Sequence, residues 1–167
     1  MRRTARWVAI LATGMIMAVP AGLRADDDDD ITSKLPAGPI RDRHVLMHEI
    51  GDQAENINDA FNVGSEGFDT SIIQRAGTVI ALNAHKIPDL FPKGSTDPNS
   101  RALPAIWEKW DEFVKLAKQL EDQAQKLSAA AGAEDDEDLK AKSKTMFGTC
   151  KSCHDQFRKP EDKKKKK

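Results

Sequence analysis

Only two cysteines occur in the chain, Cys150 and Cys153, and His154 directly follows the second. Two thiols three residues apart beside an imidazole admit three chemistries. A redox dithiol of the thioredoxin kind needs a strand before the cysteines and a helix that begins at them. A zinc or copper centre needs more ligands, and nothing in the spacing of His44, His48 and His85 groups them as a set. Covalent haem attachment needs only what CKSCH supplies. Two thiols on one side of a helix bond two vinyl groups, and the adjacent imidazole takes the iron as proximal ligand. The cysteines fall late in a helical pattern with no strand before them. The expectation is therefore one covalent haem c, with Cys150 and Cys153 as thioether anchors and His154 on the iron.

The sixth iron position then decides the function, since a filled position suits electron transfer and an open one suits gas binding. A ligand must face inward on a helix opposite the last one. Met47 lies on such a stripe, although methionine is also an ordinary core filler. His48 is the rival, one position round the helix and paired with His44 on a flank. Arg43 lies one turn before Met47; a buried arginine needs an anion, and a haem propionate is one. Arg158 lies one turn after His154, where it can shield the iron-ligand side, pair with a propionate or simply be solvated.

Helices must position these groups. Ile40, Met47, Ala54 and Phe61 recur every seven residues, with Ile50 and Ile57 between them, and predict a helix that ends before Gly64 and Gly67. A second helix is expected over about 68–86, with Ile72, Ile73, Ala76, Val79, Ile80 and Ala84 inward. Pro88 and the stretch IPDLFPKGSTDPNS force a long loop, with Leu90 and Phe91 tucked against the core. Leu103, Ile106, Trp110, Phe113, Ala117, Leu120, Ala124 and Leu127 predict one continuous third helix. The fourth runs from about Glu134 to Arg158, stopped by Pro160. No stretch alternates as a strand does. The fold class is all-α, an antiparallel up-down four-helix bundle over 40–158.

The ends differ from the body. Residues 1–25 read as a secretory signal: Arg2, Arg3 and Arg6, then an apolar run from Trp7 to Val19, then cleavage after Ala21 or Ala25. The run is short for a membrane span of about 20 residues. Export to a periplasm is expected, with a retained N-terminal anchor as the alternative. Residues 26–39 read as a disordered acidic linker and 159–167 as a disordered polybasic tail. That tail could touch an anionic membrane surface weakly. The formal charge of −1 and the lack of a basic stripe interleaved with aromatics argue against nucleic acid. No base or nucleophile is placed for substrate chemistry, so no enzyme is expected.

The stretches CKSCH at 150–154 and QFR at 156–158 stand in order after three others. These are RHVLMHEIG at 43–51, DLFPKGS at 89–95 and ALPAIWEKWDEF at 102–113. Together they resemble the class II c-type cytochromes, the cytochrome c prime family, over about residues 37–158. The resemblance implies a haem held near the C-terminus of a four-helix bundle. It also implies a division at the position four after the early arginine. Leucine or phenylalanine there leaves the iron five-coordinate and open to nitric oxide or carbon monoxide. Methionine makes it six-coordinate and low-spin. Here that position is Met47, so the resemblance implies a His154/Met47-ligated one-electron carrier that serves redox protein partners. The alternative is a gas-binding haem protein. The resemblance also places Arg158 beside the proximal face and allows a homodimer through the first two helices.

Overall fold

A computed structural model describes residues 27–62, 69–133 and 135–160. The signal reading at 1–25 and the lysine run at 163–167 lie outside the described residues. Four long helices carry the fold: α2 (Pro39–Ala60), α3 (Thr70–Lys86), α5 (Trp110–Ala130) and α6 (Asp136–Phe157). Two short ones join them, α1 (Asp27–Lys34) before α2 and α4 (Ala105–Glu108) before α5. A short 3-10 turn, Pro88–Leu90, follows α3. Among the described residues there is no strand, only an isolated bridge between Ala102 and Arg158.

Helix ends follow local chemistry. Pro39 opens α2, where a missing N–H costs nothing. Asp69 caps α3 by accepting from the backbone N–H groups of Ser71 and Ile72 at 3.1 and 3.2 Å. Asp135 caps α6 by accepting from Asp138 N–H at 3.0 Å, and acidic residues fill the first turn.

The packing is antiparallel. Ser128 on α5 donates to the Gln74 carbonyl near the start of α3, while Glu121 meets His85 at its end. Phe113 at the start of α5 meets Phe157 at the end of α6 edge to face, with ring centroids 5.5 Å apart. The core joins Ile57, Ile73, Ile80, Ile106, Phe113, Leu127, Leu139 and Met146, all fully buried. Gly77 lets α3 approach α5 closely, since a Cβ there would lie 3.0 Å from the Ala124 carbonyl and 3.1 Å from the Ser128 backbone. Backbone cannot step aside as a side-chain tip can. Gly77→Val is expected to destabilise the bundle by about 1–3 kcal/mol despite the loss of a helical glycine. Thermal unfolding followed by helical circular dichroism checks it, and an unchanged midpoint would contradict the close approach.

Three expectations are corrected. Residues 27–34, read as part of a disordered linker, form α1, and Leu35 behind it is only 2% exposed. The Arg41 guanidinium donates to the Leu35 carbonyl at 2.5 and 3.1 Å, which ties this segment to α2. The third helix is not continuous: Lys109 (φ −121°, ψ 46°) leaves helical geometry between α4 and α5. That break turns Trp110, expected inward, to 36% exposure. On α2 the buried residues are Arg43, Leu46, Ile50, Ile57 and Ala60, whereas Ile40, Met47, Ala54 and Phe61 are only half-buried.

Candidate haem site

The half-buried series on α2 defines the site. Met47 and Phe61 from α2 and Phe147, Cys150 and Cys153 from α6 all pack against the same core cluster without being enclosed by it. α2 packs on α3, α3 on α5 and α5 on α6, while α2 and α6 have no comparable packing between them. At the far end of this α2–α6 seam lies an open groove of about 340 Å³, lined by Phe61, Lys140, Ser143, Lys144 and Phe147. The Ser143 hydroxyl is buried there and has no hydrogen-bond partner.

Cys150 and Cys153 are free, half-buried thiols in the last two turns of α6. Burial raises the Cys150 pKa. Burial, and then the neighbouring Cys150, push Cys153 up to about 11. Both are therefore thiols at neutral pH. A dithiol redox pair needs the reverse, a thiolate stabilised by positive surroundings or a helix N-terminus. His154 is half-buried in the final turn, next to the cysteines.

On α2, Met47 and His48 are both half-buried, and His48 forms an edge contact with His44 at 4.4 Å between ring centroids. His85 lies elsewhere, exposed on α3 and facing Glu121 at 3.2 Å. Arg43 is 3% exposed and reaches several polar groups of the loop that follows α3. It donates to the Leu90 carbonyl at 3.4 Å, the Ser95 hydroxyl at 2.8 Å, the Ser95 carbonyl at 2.7 Å and the Ser100 hydroxyl at 3.2 Å. Its guanidinium carbon also sits 4.7 Å from the centre of the Phe91 ring. Burial lowers its pKa, and nearby Asp97 opposes that shift. Loop dipoles, an aromatic face and a nearby carboxylate thus stabilise the buried cation.

Arg158 is the C-cap of α6, and its backbone N–H still donates to the His154 carbonyl at 3.1 Å. The helix ends at Phe157, and Arg158 is extended (φ −121°, ψ 133°), exposed and bridged to Ala102. Ser95, Ser100 and Lys159 carry a polar network at this end that the sequence reading did not find. Its only sequence signal is the serine-rich stretch GSTDPNS, which reads as ordinary loop.

A helical bundle whose last helix carries Cys-x-x-Cys-His, half-buried in its final two turns, is a haem-binding bundle. The chain belongs to the cytochrome c' family, whose sequence profile, described as Cytochrome C', matches residues 38–158. It is 34% identical over 122 residues to a cytochrome c-556 of Agrobacterium tumefaciens, covering 73% of this chain and 98% of the relative. It is 36% identical over 124 residues to a cytochrome c' of Rhodopseudomonas palustris, covering 71% of this chain and 80% of the relative. The solved cytochrome c' structure from Rhodopseudomonas palustris superposes with a TM-score of 0.67 at 32% identity, over 76% of this chain and all of that one. Cytochrome c prime from Shewanella frigidimarina shares the fold, with a TM-score of 0.68 at 24% identity over 76% of this chain and 98% of that one.

Members of this family bind one covalent haem c with its iron. The residues here fit that group. Two protonated thiols stand at attachment spacing, an imidazole adjoins them, and earlier on the same helix a groove lined by Phe61, Phe147, Lys140 and Lys144 holds the buried Ser143 hydroxyl, which has no hydrogen-bond partner. Cys150 and Cys153 would hold the porphyrin and His154 the iron.

Proposed function

We propose that this protein is an exported one-electron carrier in which His154 and Met47 are the two axial ligands of a covalent haem c. The observation that carries the reading is the place of Met47. It is half-buried on α2, one turn after the anchored Arg43, and packs against the hydrophobic core of the bundle, as Cys150 and Cys153 do from α6. A thioether is a soft donor that suits haem iron and raises its potential. The bound haem supplies reversible one-electron chemistry, and the chain does the rest. α6 would hold the His154 imidazole and α2 the Met47 thioether toward the iron. Redox proteins are the partners of such a carrier. Among the described residues no helix is long and apolar enough to cross a membrane.

The second reading is a protein that binds nitric oxide or carbon monoxide at an open sixth position. One related structure favours it: a nitric oxide complex of a cytochrome c prime variant from Alcaligenes xylosoxidans, with a TM-score of 0.61 at 27% identity. Optical spectra of the purified holoprotein, oxidised and reduced, with and without carbon monoxide, separate the two. A low-spin spectrum unmoved by carbon monoxide is expected. Immediate formation of a carbonyl adduct would overturn Met47 ligation and establish the second reading.

A further inference from the structure

The ends of the two ligand-bearing helices are joined by a strap rather than by each other. Phe157, one turn after His154, accepts from Leu103 N–H at 3.0 Å. Arg158 bridges Ala102, and Lys159 N–H donates to the Arg101 carbonyl at 2.8 Å. The Arg101 guanidinium returns two bonds to the Lys159 carbonyl, at 2.7 and 3.2 Å. The chain leaving α6 is thus zipped to residues 101–103. That segment in turn meets α2 at Ser100, which is buried. The Ser100 hydroxyl accepts from Arg43 on α2 at 3.2 Å and from Ala102 N–H at 3.3 Å. The Ser100 carbonyl accepts from Lys159 Nζ at 2.9 Å. One residue therefore receives the anchor of α2 and the anchor of the α6 tail.

We infer that this strap, residues 100–103 with 157–159, is a positioning device for the sixth iron ligand, with Ser100 as its central positioning residue. The inference rests on the proposed Met47 ligation. Met47 lies one turn beyond Arg43, and His154 lies one turn before Phe157. Fixing Arg43 and Phe157 to one short segment fixes the offset between the two ligand-bearing turns. Packed helices adopt discrete offsets and do not stretch continuously. Loss of the strap lets the start of α2 shift away and raises the fraction of molecules with Met47 off the iron.

The test uses the holoprotein and two substitutions, Ser100→Ala and Lys159→Met. Ser100→Ala deletes the acceptor of two hydrogen bonds, and Lys159→Met deletes one bond from an exposed residue. Bonds of ordinary net strength predict carbon monoxide association to the reduced protein about tenfold faster in Ser100→Ala and a few-fold faster in Lys159→Met. Ser100→Thr, which keeps the hydroxyl, should return the rate toward wild type. Unchanged carbon monoxide kinetics in both variants, with a low-spin wild type and only a lower melting temperature, would reduce the strap to a stabilising element and overturn the inference. A wild type that is already high-spin would overturn the ligation reading and the strap's role with it.

Discussion

Met47→Leu is expected to turn a low-spin spectrum into a high-spin one and to let the reduced protein bind carbon monoxide at once. Leucine and methionine have similar volume, so the substitution costs under about 1.5 kcal/mol of packing. Met47 is half-buried at the edge of the core rather than within it, which lowers that cost further. What changes is the donor, because leucine offers the iron no lone pair. A ligand-gated site pays for its closed state through the fraction of time it is open. With an open fraction of roughly 0.1–10%, apparent carbon monoxide affinity should rise about 10- to 1,000-fold. The midpoint potential should fall, since thioether ligation is what raises it. A variant that stays low-spin would transfer the ligand role to His48, its half-buried neighbour. The double substitution Met47→Leu with His48→Phe would then be the one that opens the iron.

The number and order of the long helices were legible because their apolar residues recur with helical period and their ends carry caps. CKSCH was legible because five adjacent residues hold the whole proximal chemistry. The faces of α2 were harder. The series Ile40, Met47, Ala54 and Phe61 keeps a strict period of seven, while a straight helix drifts about 20° per heptad. Leu46, Ile50, Ile57 and Ala60 took the core, and the heptad series took the half-buried seam. The break at Lys109 had no sequence signal, since no proline or glycine marks it. Arg43 was placed inward correctly, but its partners lie about fifty residues away in a loop, beyond the reach of periodicity. Arg158 illustrates the opposite limit. Helical spacing was extended one residue past the end of the helix.

This separation of faces divides the expected consequences of mutation. Ile57, Ile73 and Leu127 are wholly buried and hold α2, α3 and α5 together away from the seam. Truncating them should cost stability, about 2–5 kcal/mol each for a change to alanine. Met47, Phe147, Cys150 and Cys153 stand where the core meets the seam, so their substitution should change the haem before it changes the fold.

The sharpest case is the pair of thiols. Cys150→Ala combined with Cys153→Ala is expected to abolish covalent attachment while leaving the four helices in place. Each thiol forms a sulfur–carbon bond at one vinyl carbon, and its hydrogen passes to the other carbon of that vinyl group. The addition would use both sulfurs, each of which is free and half-buried in α6. Attachment also converts a bimolecular association into an intramolecular one, with an effective haem concentration of about the millimolar order. Without it, His154 and the seam must hold the group alone. The double variant should therefore lose its haem to acid extraction under denaturing conditions, where wild type keeps it. Its haem content should also fall on dilution, and its melting temperature should become dependent on added haem. Either single variant keeps one bond and should survive extraction. Retention of haem by the denatured double variant would mean that attachment does not run through these cysteines. Loss of haem from wild type under the same treatment would show that the thiols remain free despite their spacing.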